Sequence, residues 1–152
     1  MRRILISLLA LLCMASCGRR RNAPAQEAAA DSRPRVLLPA IAPSSLSPDE
    51  RRDYLRVHYW DRFDFTDTLF TVRADTLQMV EAYARYIALI SDRPTDGSPI
   101  DSLMRRASSS RKMLDYFSML AEQVLHDPNS PLRNDEFYIP VLQAQLRSPW
   151  YD

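Results

Sequence analysis

Only two of the chain's 152 residues are glycine, Gly18 and Gly97. Tight hairpins need residues at positive φ, and phosphate cradles need backbone without a Cβ; both depend on glycine. A chain this poor in glycine argues against β-sandwiches, Rossmann folds and P-loops together. No stretch shows the period-two alternation of a half-buried strand, whereas apolar stripes at helical spacing recur. The chain therefore reads as all-α.

Ser47-Pro48-Asp49-Glu50 is a helix start: a serine able to cap, a proline at the first helical position, and a glutamate placed to close a capping box. This first helix is expected to run to about Trp60, burying Leu55, Val57, Tyr59 and part of Tyr54. Asp75-Thr76-Leu77-Gln78 repeats the box. Val80, Tyr83, Ala84, Ile87 and Ile90 then share one face, and Met79, Tyr86 and Leu89 extend burial to a second side. Residues 91–97, with Pro94 and Gly97, read as a loop. Ser98-Pro99-Ile100-Asp101 opens a third helix by the same logic, with Ile100, Leu103, Met104 and Ala107 inward, and Ser108-Ser109-Ser110 interrupts it. A fourth helix is predicted over residues 111–125, burying Met113, Leu114, Phe117, Leu120, Ala121, Val124 and Leu125. After a proline-bracketed turn at residues 126–131, Asn134 caps a last helix through about Leu146. Its apolar positions are Phe137, Tyr138, Val141, Leu142 and Leu146, and Pro140 should kink it or delay its start. The expected fold is a compact bundle of four to five short helices around one core.

The N-terminus has a different character. Arg2-Arg3 is a basic region, and residues 4–12 are apolar but too short to span a bilayer, which takes about 20 residues. Met14-Ala15-Ser16-Cys17 resembles the lipobox of bacterial lipoproteins. That resemblance implies cleavage before Cys17 and diacylation of its thiol, and two or three acyl chains anchor a protein firmly where one binds reversibly. The reading divides the chain into a signal peptide at 1–16, a lipid-anchored flexible tether at 17–46 rich in Ala, Pro and Ser, and a helical domain at 47–148. Within the tether, Val36-Leu37-Leu38-Pro39-Ala40-Ile41 is an apolar run able to dock in extended form. Neither the aspartate that favours inner-membrane retention in enteric bacteria nor the acidic run of surface-exported Bacteroidota lipoproteins follows Cys17. The outer membrane, facing the periplasm, is the expected location.

Cleavage discards Cys13, and lipidation occupies Cys17. The expected mature chain then has no free thiol, disulfide or cysteine-based metal site. Without residues 1–16 it carries 18 basic and 19 acidic residues, which gives no whole-domain electrostatic reason for nucleic acid.

The stretch from His58 to Asp67 concentrates the residues that could carry chemistry. Asp61, Asp64 and Asp67 do not have the ligand spacing or the central glycine of an EF-hand; they suit caps or pairing with Arg62. His58 with Asp61 is too few residues for a metal site, and His126 lies far along the chain. No cofactor or metal is expected. Arg105-Arg106 and Arg111-Lys112 read as a solvated helix face. The aromatics Tyr59, Trp60, Phe63, Phe65, Phe137 and Tyr138 could line a groove for peptide or glycan, but core packing is the commoner fate of such residues. The first four are expected to lock onto Phe137-Tyr138-Ile139.

Several blocks in order resemble a known family. They are Tyr54-Leu55, His58-Tyr59-Trp60-Asp61, Phe63-Asp64-Phe65, Tyr86-Ile87, the run from Asp127 to Asn134, and Tyr138-Ile139-Pro140-Val141-Leu142. Together they resemble domain-of-unknown-function family 5106 of Bacteroidota. In that family the domain usually precedes a thioredoxin-like domain of the thiol–disulfide oxidoreductase type, behind a lipoprotein signal. The family supplies no catalytic residues to carry over. This sequence holds no Cys-x-x-Cys, so the redox site of such a domain is absent from it. The expected function is a non-enzymatic, lipid-anchored spacer or docking module, with the membrane and a thioredoxin-like protein as partners. Three alternatives stay open: the N-terminal part of a truncated or split thioredoxin-like oxidoreductase, a peptide or glycan binder using the aromatics, and a hydrolase or metal-dependent enzyme using His58, Asp61 and Asp64.

Overall fold

The computed structural model describes residues 37–92 and 97–151. The signal peptide, Cys13, Cys17, most of the tether, and Pro94 of the expected loop lie outside the described residues. Among these residues the chain is helical: α1 (Pro48–His58), α2 (Phe70–Arg73), α3 (Thr76–Ser91), α4 (Ser98–Ala107), α5 (Arg111–Ala121) and α6 (Asp135–Arg147), with a π-helical turn (Glu122–His126) extending α5. No strand occurs among the described residues, and no helix there is long and apolar enough to cross a membrane.

Local chemistry opens each main helix. Ser47 accepts from the Glu50 N–H, and the Glu50 carboxylate accepts from the Ser47 N–H at 2.8 Å, completing the box on α1. This hydrogen bonding holds the Glu50 carboxyl below its usual range. Asp75 caps α3 by accepting from Gln78 N–H at 3.0 Å. The Gln78 side chain does not simply mirror the Glu50 arrangement, because its Oε1 accepts from Leu37 N–H at 3.3 Å. Ser110 and Asn134 cap α5 and α6 through Met113 N–H and Phe137 N–H. The start of α4 differs from expectation. Gly97, at φ +77°, is the cap residue, and Ser98 already lies in the first turn with Pro99.

α3 is the central element. Met79, Ala82, Tyr83, Tyr86, Ile87 and Ile90 are buried along it, while α1, α5 and the π turn pack around it. The inner faces of α4 and α5 are those the spacing predicts. α4 makes its most extensive packing with α6. The contact is close because Gly97 sits against α6: a Cβ there would lie 3.1 Å from Pro140 Cγ and 3.3 Å from the Glu136 carbonyl oxygen. That carbonyl is the one Pro140, lacking an N–H, cannot bond. Pro140 therefore does not delay the helix, which starts at the Asn134 cap and runs through it.

Two expectations about burial fail. Val57 is 74 % exposed, because α1 ends at His58 and turns Tyr59 and Trp60 inward instead. On α6 the buried residues are Phe137, Pro140, Val141 and Ala144, while Leu142 and Leu146 face outward. The apolar run at 36–41, expected to be able to dock in extended form, does so over its described part, with Leu37 buried in the core. Ala40 N–H bonds the Tyr59 carbonyl, and Arg51 donates to the carbonyls of Ser44 and Leu46. The segment 37–46 is thus laid along the helical unit.

Beyond Ala121, α5 widens into the π turn, closed by Asp127 N–H on the Glu122 carbonyl at 2.9 Å. Groups further along collect the freed carbonyls: the Ser130 hydroxyl donates to Val124, and Asn134 N–H donates to Leu125 at 3.0 Å. Asn134 therefore ends one helix and begins the next.

Candidate functional site

The stretch after α1 turns twice through short backbone bonds, Asp61 N–H to His58 and Phe63 N–H to Trp60, and drives its aromatic side chains inward. Tyr59, Trp60, Phe63 and Phe65 are all buried. Their partners are α2, α3 and α5. Trp60 stands edge-on to Phe63, Tyr86 and Phe117; Phe63 meets Phe65, Phe70 and Phe117; Phe65 stacks on Phe117 at 5.3 Å. Tyr59 donates its hydroxyl to the Ala82 carbonyl at 2.9 Å, inside α3. The expected lock onto Phe137-Tyr138-Ile139 does not form. Phe137 is buried beneath α6, Tyr138 stacks on His126 at 4.7 Å, and Ile139 faces outward. The six aromatics therefore do not line a common groove, since Tyr138 alone among them is more than marginally exposed.

The three aspartates diverge. Asp61 accepts from His58 Nδ1 at 2.6 Å and from Arg106 at 3.3 Å. Asp64 accepts from Thr66 N–H at 2.8 Å and from its hydroxyl at 2.7 Å, bonds that lower its pKa. Asp67 accepts from Leu69 N–H at 3.1 Å. His58 and Asp61 form a dyad, with the imidazole stacked on Tyr54 at 4.2 Å and the carboxylate shared with a guanidinium. Asp64 is engaged in its own turn. Arg62, the partner expected for the aspartates, instead reaches the Pro39 carbonyl. Among the described residues no group of three or more His, Cys, Asp or Glu could hold a metal ion.

Arg106 is the residue a linear reading misses. It lies on α4 and donates to the Trp60 carbonyl at 3.0 Å, pairs with Asp61, and sets its guanidinium 4.5 Å over the Phe65 ring. It pins the aromatic stretch from outside. Its neighbour Arg105 pairs within α4, with Asp101, and Arg111 pairs with Asp115. Arg56 does the matching work on α1. Its side chain, only 14 % exposed, donates to the Leu89 carbonyl and pairs with Asp92 at the C-terminal end of α3, where a cation is favoured. Nothing in a basic doublet separates an inward arginine from a solvated one; the contact spans 46 residues.

Between these two arginines lies a recess of about 230 Å³ over Trp60, Tyr86 and Ser102. Burial lifts the Tyr86 phenol to about 12, so it stays protonated and donates to the Pro99 carbonyl. The recess is small against ligand sites of about 300–1,000 Å³, and both arginines are already committed to carboxylates. What the arrangement does chemically is rigidify. It welds α1, α3, α4 and α5 around an aromatic hinge.

A family model described as "Domain of unknown function (DUF5106)" matches residues 16–152. None of the curated proteins compared matches the chain. Among solved structures, the chain is similar to a thioredoxin-like protein from Bacteroides caccae ATCC 43185, with 36 % sequence identity and a TM-score of 0.63. The match covers 75 % of this chain and 41 % of that one, so the chain spans less than half the length of this relative.

Proposed function

The chain belongs to the DUF5106 family, and from that premise we propose that it is a non-enzymatic docking or spacer module, held at the cell envelope by lipid on Cys17, that works with a thioredoxin-like protein. The observation that carries this reading is the likeness, at 36 % identity, to a protein described as thioredoxin-like. Two features support it. The sequence holds no Cys-x-x-Cys, the motif on which thiol–disulfide exchange by a thioredoxin-like domain rests. The aromatic hinge and its arginine pins use the chemistry-bearing residues for packing, as a spacer requires.

The anchor has its own test. Cys17→Ala should abolish incorporation of a fatty-acid analogue, and labelling that continues would refute the lipid anchor. For the module itself, the tagged full chain should carry a thioredoxin-like protein through purification from the envelope; repeated failure to find one counts against it. A second reading, in which the same module acts as the front part of a longer thioredoxin-like oxidoreductase, draws on the 41 % coverage of the relative. A continuous transcript and a single larger polypeptide would favour it.

A further inference from the structure

α6 is apolar on two opposite faces. Phe137, Val141 and Ala144 point into the core. Ile139, Leu142 and Leu146, spaced i, i+3 and i+7, occupy the face directly away from it and are 51 %, 42 % and 80 % exposed. A helix lying on a domain surface normally turns charged and polar residues outward, and a helix apolar all round is normally covered. The outward stripe on α6 is the position where a covering element would be expected.

We infer that the outer face of α6 is the docking surface for a thioredoxin-like domain, a placement that rests on the function proposed above. The area argues for an occupant tethered close by rather than one that meets this face freely in solution. Three side chains make a patch of at most a few hundred Å², below the roughly 800 Å² per partner of a stable independent interface. A patch of that size suffices when the partner is held nearby, by a shared chain or a shared membrane, because the effective concentration replaces contact area. The solved relative meets the first condition: it is described as thioredoxin-like, and 59 % of its chain lies outside the match. α6 can serve as a rigid platform because its inner side is fixed by the packing on α4 at Gly97 and by the Asn134 cap. Arg147 pairs with Asp101 at 2.7 Å, which holds the far end of the stripe to α4.

Photo-crosslinking in the cell of origin tests this, with p-benzoylphenylalanine placed singly at Leu142 or Leu146 in the full chain. Val57 and Val72, 74 % and 75 % exposed, serve as control positions. The expected result is an adduct with a thioredoxin-like protein from the α6 positions, at least tenfold above that from the control positions. Leu146→Glu, which leaves the core untouched, should lower recovery of that protein with the chain at least tenfold, while Val57→Glu leaves recovery unchanged. Adducts from α6 to a second copy, to residues 1–36 or to lipid alone would overturn the surface, and so would no adduct. Capture of the same thioredoxin-like protein from Val57 or Val72 but not from α6 would overturn the surface while leaving the proposed function standing. Absence of such a protein from every position would sink both.

Discussion

Replacing Phe117 tests whether the aromatic hinge carries the fold. Phe117 is fully buried on α5 and meets the rings of Trp60, Phe63, Phe65 and Tyr116. Phe117→Ala removes a ring from the point where the hinge meets α5. Burial and cavity terms for such a change come to about 3–5 kcal/mol. Lost edge-to-face and stacked geometry adds to this at about 0.5–1.5 kcal/mol per pair, part of it already counted in the first figure. We expect a loss of about 4–5 kcal/mol, a large part of the roughly 5–15 kcal/mol available to a domain of this size. Phe117→Leu keeps most of the volume and should cost only about 1–2 kcal/mol. Urea unfolding followed by far-ultraviolet circular dichroism gives the stability. Fluorescence should change in parallel, since Trp60 lies 5.4 Å from the ring. At about 4 °C per kcal/mol, the alanine variant melts about 15–20 °C lower. A loss below about 1 kcal/mol would mean that the hinge is held by something other than this packing.

Two further outcomes follow from backbone and titration. Gly97→Ala forces an L-residue to φ +77° and sets a methyl 3.1 Å from Pro140 Cγ, so it should destabilise by at least about 1–2 kcal/mol; the double variant with Pro140→Ala should recover part of the loss, and strict additivity would contradict the contact. Burial raises the phenols of Tyr86 and Tyr116 from 10.0 to about 12. Below pH 10 both folded and unfolded states keep these protons. As pH rises from 10 to 12 the unfolded chain ionises first, so stability falls, by about 2–3 kcal/mol per tyrosine at pH 12. Urea midpoints that stay constant between pH 9 and pH 11.5 would contradict this.

Local signals were legible because they are local. The Ser47 box, the Asp75 and Asn134 caps, and the inner faces of α4 and α5 all follow from residues within one or two turns. α6 was harder to orient. Its sequence offers two apolar stripes, Phe137-Val141-Ala144 and Ile139-Leu142-Leu146, and helical period alone does not say which faces the core. Packing on α4 decides it, through the missing Cβ of Gly97. The π turn is set by Ser130 and Asn134, which collect its carbonyls from outside the helix. The hinge was visible as a cluster of aromatics, but its partners Tyr86, Phe117 and Arg106 come from distant elements.

The proposed function is that this helical module serves a thioredoxin-like protein. The most direct measurement is quantitative mass spectrometry of the tagged full chain, purified from envelope after brief reversible crosslinking, against an untagged control. One thioredoxin-like protein should be enriched at least tenfold in every replicate. A folded, purified chain that repeatedly brings down no thioredoxin-like protein would contradict it.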